Sequence, residues 1–250
     1  MGGQGGRLLR KQLLRNPRKA VVPFHRQSFD FTCGPACLIM AMRHFEPALA
    51  SGRELEVDLW REANLVEAYA SSRQGLALAA HRRGFSVRTQ GNAETIELVD
   101  CLGLDPSLEN RKVAVALHRD LKRRCRQAQI PDAVKPVSLS DVVEWLARAW
   151  IPIVLVDARL VGDVEVPHWV LVTGIDPHTV TFHDPLAHAG NTNAPRREFA
   201  KRLGFKGTSC AVVIEGQPQA SRGEPPRIPG SSRAAPSNKL HLHSNAALSA

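Results

Sequence analysis

The sequence predicts an α+β fold. Apolar spacings of three and four residues dominate residues 33–150, and short β-branched runs bounded by Gly, Pro and Asp dominate 151–215. Helices that precede the strands, rather than alternate with them, give this class. The composition agrees: 43% apolar and 23% charged over 250 residues is enough to bury one large core or two small ones.

The first helix is expected over 33–45, CGPACLIMAMRHF, which is apolar almost all round and therefore buried. Pro35 suits a first turn, where its missing N–H costs nothing, and Arg43 and His44 suit the last turn before Pro47. Residues 53–70, 75–83, 109–129 and 139–150 read as amphipathic helices, the last of them after the candidate N-caps Ser138 and Ser140. Four strands follow: IPIVLVD (151–157), HWVLVTGID (168–176), TVTFHD (179–184) and SCAVVIE (209–215). The basic stretch HRDLKRRCR within 94–150 reads as a solvated helix face and suggests no role of its own.

The net charge of +9 belongs to the ends of the chain. Residues 1–26 hold seven Lys/Arg and no acid, 216–250 hold four Lys/Arg and one acid, and 27–215 hold 22 basic and 23 acidic residues. A near-neutral body lacks the electrostatic footprint of nucleic-acid binding. No stretch is long and apolar enough for a transmembrane helix, and the N-terminus matches neither a secretory signal nor a myristoylation site. The expected location is cytoplasmic. Residues 1–20 read as a basic flexible arm, with Leu8, Leu9, Leu13 and Leu14 as a conceivable stripe, and 216–250 as a disordered tail rich in Pro, Gly and Ser. His241 and His243 in that tail read as incidental. The five cysteines form no C-x-x-C pair and are odd in number, which excludes a disulfide scaffold and the common zinc spacings.

Cys33 stands at the start of the first helix, where the positive end of the helix favours a thiolate. Gly34 would leave room for a substrate backbone beside the sulfur. Cys37, one turn on, reads as packing, with a redox pair to Cys33 as the alternative. A nucleophilic thiol needs a base, and the base needs a group to orient it. His168 opens the strand after Pro167, and Asp184 ends the next strand. A hairpin turning at Asp176-Pro177-His178 would bring these two ends together, so that the carboxylate fixes the imidazole tautomer. His183 points to the opposite face. Gln27, six residues before Cys33, can supply an oxyanion donor beside the Cys33 backbone N–H. Read singly, Cys33 is another buried thiol, His168 a core histidine and Asp184 an Asp-Pro turn former. Together they point to nucleophilic catalysis.

Gln27, Cys33-Gly34-Pro35-Ala36-Cys37, His168-Trp169 and Asp184-Pro185 together resemble the bacteriocin-leader-processing cysteine peptidases, and most nearly their stand-alone bacterial, C-39-like branch. Gly75-Leu76-Ala77-Leu78-Ala79-Ala80 and Arg83-Gly84-Phe85 add to the likeness, which covers about residues 21–215. The resemblance implies a papain-like, two-lobed domain over 21–215. A helical lobe would carry the cysteine, and an antiparallel sheet the histidine and aspartate. It also implies a cysteine-type peptidase with Cys33 as nucleophile, His168 as base and acid, Asp184 as orienting group and Gln27 as oxyanion donor. The implied partner is a peptide or protein substrate, and no metal or organic cofactor is implied. The leader peptidases are typically fused to a membrane transporter, whereas this sequence carries neither a membrane span nor a nucleotide-binding motif. A papain-like acyl transferase or amidase, and a non-catalytic peptide-binding module, are the alternatives.

Overall fold

The computed structural model describes residues 19–65, 70–92 and 108–217. Most of the expected arm and tail, Cys101, His241 and His243 lie outside these residues.

Helix α1 (Cys33–Phe45) has the expected bounds, and the ten residues Cys33 to Met42 are all buried. The Glu46 backbone N–H donates to the Met42 carbonyl and closes its last turn. Helix α2 (Arg53–Ala63) stops well short of residue 70. The apolar period runs on through Leu65, but the Ser72 N–H takes the Ala63 carbonyl at 2.8 Å and ends the helix there. Two short strands, β1 (Asn64–Leu65) and β2 (Ala70–Ser71), pair instead. Helix α3 (Arg73–Arg82) is capped by Ser72, whose hydroxyl accepts from the Gly75 N–H at 2.9 Å.

Gly75 lets α2 and α3 touch backbone to backbone, since a Cβ there would lie 2.5 Å from the Ala63 Cα. A Gly75→Ala protein is therefore expected to lose about 1–3 kcal/mol of stability. A thermal melt should show this as a fall of roughly 2–12 °C.

Strand β3 (Ser86–Gly91), helix α4 (Leu108–Gln127), strand β4 (Asp132–Val134) and helix α5 (Leu139–Ala147) follow. In α4, Ala114, His118 and Cys125 face inward, while Arg119, Arg123, Arg124 and Arg126 are exposed, which agrees with the solvated-face reading. Helix α5 begins with a capping box between Ser138 and Asp141. The chain then runs through β5 (Ile151–Asp157), a 3₁₀ turn (Ala158–Leu160), β6 (Pro167–Ile175), β7 (Thr179–His183), β8 (Thr192–Pro195), α6 (Arg196–Arg202) and β9 (Cys210–Gly216).

One seven-stranded sheet, in the order β4-β3-β9-β5-β6-β7-β8, organises these elements, and only β3 and β4 run parallel. The fold is α+β, as expected. The sheet also takes strands from the helical half of the chain, because β3 pairs with β9. Strand alternation sends Ile153, Leu155, Trp169, Leu171, Val212 and Ile214 into a core shared with α1 and α3. The intervening Val154, Val156, Val170, Val172 and Val213 meet α5 and Phe199 of α6 on the other face. The strands β3, β4 and β8 and the helix α6 were not anticipated. In β3, SVRTQG offers a single aliphatic side chain, and its neighbours in the sheet decide its conformation.

Candidate active site

Thr32 holds the N-cap position of α1, but its side chain makes no capping hydrogen bond. The orphan N–H groups of the first turn are thus not claimed by a cap. Pro35 has no N–H to leave unsatisfied. Cys33 is the first residue of the helix and is buried. Burial alone would push its thiol up. The hydrogen bond from His168, the charge of that imidazole, and the backbone N–H groups of Trp169 and Gly34 outweigh burial and hold the thiol below its ordinary value. The thiol thus lies beside the imidazole and feels its charge. Gly34 does not face a substrate. A Cβ on it would meet Leu76 Cδ1 and the Ser71 Cβ at 3.1 Å and Trp169 Cδ1 at 3.2 Å, so its small size serves helix packing. The substrate space expected beside it is filled by these three side chains.

His168 is the second residue of β6 and is buried. Its Nε2–H donates to Asp184 Oδ1 at 2.8 Å, which leaves Nδ1 for the thiol. Burial pulls the imidazole down, but its bonds to Asp184 and Cys33 and their charges win and push it up to about 9. The hairpin that joins these ends is the one expected: Asp176 Oδ1 accepts from the N–H groups of His178 (2.8 Å) and Thr179 (2.7 Å), and Leu171 pairs with His183. Asp184 Oδ1 also accepts the Leu186 N–H at 3.0 Å. Three of the four residues read from the sequence therefore form one chain of contacts, Cys33–His168–Asp184.

His183 turns away from that chain, as expected. Its Nε2–H donates to the Val22 carbonyl and its Nδ1 accepts from the Asn191 N–H, both at 2.9 Å. Burial, followed by the charge of Lys19, pushes its pKa down despite the pull of the Val22 carbonyl, so it stays neutral.

Gln27 is buried in the loop before α1. Its backbone N–H donates to the Pro185 carbonyl at 2.9 Å, which ties this loop to the segment after Asp184. One hydrogen of its Nε2 goes to the Phe29 carbonyl at 2.7 Å, and the second remains free to donate. Gln27 lines a groove of about 340 Å³ with Arg26, Ser28, Phe29, Asp30 and Leu186. Phe29 and Leu186 are two of the few large apolar side chains exposed among the described residues.

Cys37 is a free, buried thiol whose Sγ donates to the Trp169 carbonyl at 3.4 Å, an arrangement that fits the packing reading. Burial, then the charges of Cys33 and Asp184, push it well above the ordinary value. Among the described residues, no group of three or more His, Cys, Asp or Glu is placed to hold a metal, and no helix is long and apolar enough to cross a membrane. Sequence reasoning missed Glu56. On an amphipathic helix it reads as a surface acid, yet it is fully buried beneath the Gln27 loop.

Comparison with solved structures finds several similar chains, among them the following three. A double glycine motif protease from an AMS/PCAT transporter, solved in complex with the leader peptide, is 14% identical over 78% of this chain and 94% of its own, with a TM-score of 0.42. The peptidase domain of Streptococcus ComA, a bi-functional ABC transporter involved in a quorum sensing pathway, is 15% identical over 80% and 99%, with a TM-score of 0.42. A candidate C-39-like peptidase from Bacillus anthracis is 12% identical over 80% and 97%, with a TM-score of 0.48. No curated protein matches the sequence. The profile of the Peptidase_C39 like family matches residues 22–199, well over half of the chain, and the protein belongs to that family.

Proposed function

We propose that the protein is a cysteine peptidase whose catalytic domain spans residues 21–215. Cys33 is its nucleophile, His168 its base and acid, and Asp184 holds the imidazole, while Gln27 donates to the oxyanion. The observation that carries this reading is the continuous contact from the thiol at a helix N-terminus, through a buried imidazole, to a carboxylate. The lowered thiol and raised imidazole favour a thiolate–imidazolium pair at neutral pH.

The chemistry follows from that pair. The Cys33 thiolate attacks the peptide carbonyl, and its oxygen takes up negative charge. The second hydrogen of Gln27 Nε2 and the Cys33 backbone N–H receive that charge. The imidazolium gives its proton to the leaving amine. Water, deprotonated by the now neutral imidazole, then cleaves the thioester and frees the acid. Asp184 accepts from the Nε2–H throughout and so fixes the tautomer, which leaves Nδ1 to do the proton transfer. The groove beside Gln27, lined by Arg26, Ser28 and Asp30 as well as by Phe29 and Leu186, offers an extended peptide both polar and apolar contacts beside the proposed oxyanion donor. A peptide substrate also accords with the leader peptide bound by the transporter protease.

Brief alkylation with iodoacetamide at neutral pH, followed by mass mapping, tests the nucleophile. Cys33 is expected to react well ahead of the other described cysteines. Burial and then the Cys33 and Asp184 charges hold Cys37 well above the ordinary range. Burial drives Cys125 to about 12 against partial relief from Arg73 and Arg82, and Cys210 to about 12 against partial relief from Arg73. Equal labelling of the four, or earlier labelling of Cys125 or Cys210, would remove Cys33 from the role of nucleophile.

A further inference from the structure

Glu56 lies in the first turns of α2, fully buried, with both carboxylate oxygens occupied. Oε1 accepts the Ser28 backbone N–H at 2.7 Å and the Thr32 hydroxyl. Oε2 accepts the Ser28 hydroxyl at 2.9 Å and His25 Nε2 at 2.9 Å. These partners bracket one short stretch of chain. His25 and Ser28 flank Gln27, and Thr32 immediately precedes Cys33. A single carboxylate thus fastens both ends of the loop that joins the proposed oxyanion donor to the proposed nucleophile. A buried charge is retained only where its acceptor sites are filled in this way.

The Thr32 hydroxyl makes the coupling specific. It has one hydrogen and two acceptors within reach, Glu56 Oε1 and the Phe29 carbonyl at 2.8 Å. An ionised carboxylate is the stronger acceptor, so the hydrogen goes to Glu56. Burial would raise the Glu56 carboxyl, but the bonds from His25, Thr32 and Ser28 bring it below the usual range and keep it ionised. The Phe29 carbonyl takes the Thr32 backbone N–H at 3.1 Å on one lone pair, and its other lone pair is then left to Gln27 Nε2, the bond that fixes the orientation of the Gln27 amide. With the carboxylate gone, the Thr32 hydroxyl turns to Phe29 and competes for that carbonyl.

We propose that Glu56 is a positioning residue for oxyanion stabilisation. It acts through Thr32 and the Phe29 carbonyl to aim the free N–H of Gln27 at the reacting carbonyl. It touches neither substrate nor thiol, and the idea rests on the peptidase reading above.

The test uses the full-length protein and p-nitrophenyl acetate, a small ester that needs no peptide subsites, with turnover by a Cys33→Ala protein subtracted. Iodoacetamide is the control, because alkylation makes no oxyanion. Glu56→Gln is expected to lower the Cys33-dependent acylation rate about tenfold or more, up to the roughly 10²–10³-fold limit set by one oxyanion donor. Its alkylation rate should match that of the wild type. The double variant Glu56→Gln/Gln27→Ala should be no slower than Gln27→Ala alone, because both changes remove the same donor. Adding Thr32→Val to Glu56→Gln removes the hydroxyl that competes for the Phe29 carbonyl, along with the 3.2 Å bond it accepts from the Phe29 N–H, and should restore acylation toward the wild-type rate. Unchanged acylation in Glu56→Gln overturns the proposal, and so does a loss that Thr32→Val fails to relieve. Losses that multiply when Gln27→Ala is added, or an alkylation rate that falls in step with acylation, overturn it too, since either means that Glu56 supports the fold or the thiolate and not Gln27. If Cys33→Ala turns over the ester as fast as wild type, the peptidase reading itself fails, and that outcome is separate from the others.

Discussion

A His168→Ala protein is expected to lose peptidase turnover by roughly 10³–10⁵-fold. Two losses multiply. Without the imidazolium, burial dominates the Cys33 environment and the thiol rises to about 8.5 or above, so only a few per cent is thiolate at pH 7. General acid–base catalysis by a positioned side chain contributes a further 10²–10⁴-fold or so. The same variant should alkylate at pH 7 more slowly than wild type, by up to about thirtyfold, and recover as rising pH ionises the Cys33 thiol. In the wild type the two readouts part on the alkaline side. His168 is pushed up to about 9 by Asp184 and Cys33 against its burial, so turnover should fall as pH rises through about 9 and the leaving amine loses its proton donor. Alkylation should not fall there, because the thiolate persists. On the acid side both should fall together as Cys33 is protonated, at a pH below the ordinary thiol range. An alkylation profile that is identical in wild type and His168→Ala would separate the imidazole from the thiol and leave the peptidase reading without a base.

Gln27→Ala is expected to lower kcat by roughly 10²–10³-fold, the usual loss for one oxyanion-hole donor. Its stability should change by no more than about 1 kcal/mol. The side chain gives one hydrogen bond to Phe29, worth about that much, while its Oε1 is buried without a partner and is costly to keep. Kinetics on p-nitrophenyl acetate and a thermal melt measure the two effects side by side. A large loss of rate with an unmoved melting temperature is the signature of a residue kept for chemistry. A loss of rate that tracks a loss of stability would make Gln27 a structural member of its loop.

The parts of the site legible in the sequence were those with local signals. Cys33 stands at a helix start that Pro35 and the apolar run announce, and Asp184 ends a strand opposite His168 because Asp176-Pro177-His178 turns the chain back. The meeting of thiol and imidazole was less legible. Alternation puts His168 on the face of Val170 and Val172, which pack toward α5, whereas α1 covers the opposite face with Trp169 and Leu171. The two groups meet because His168 sits at the strand's very end, which periodicity does not reveal. Gly34 was misread for a related reason: what fills the space beside it, Leu76 and Trp169, comes from distant parts of the chain. Glu56 gave no signal at all, since an acid in the first turns of an amphipathic helix is ordinary until a loop folds over it. The strands β3 and β8 were missed because their conformation is set by pairing to β9 and β7 rather than by their own composition.

The last strand among the described residues is not at the edge of the sheet. β9 lies between β3 and β5, and α1 rests on β5, β6 and β9 together. As the chain leaves a ribosome, the hairpins from β5 to β8 can pair early, but β3 has no antiparallel partner until residues 210–216 arrive. Closing that gap joins segments more than a hundred residues apart, and long-range pairing of this kind is slow. The platform beneath α1 is completed only in that step. The sheet face that carries α1 is therefore finished late, when the C-terminal strand slots between two strands that precede it in the chain.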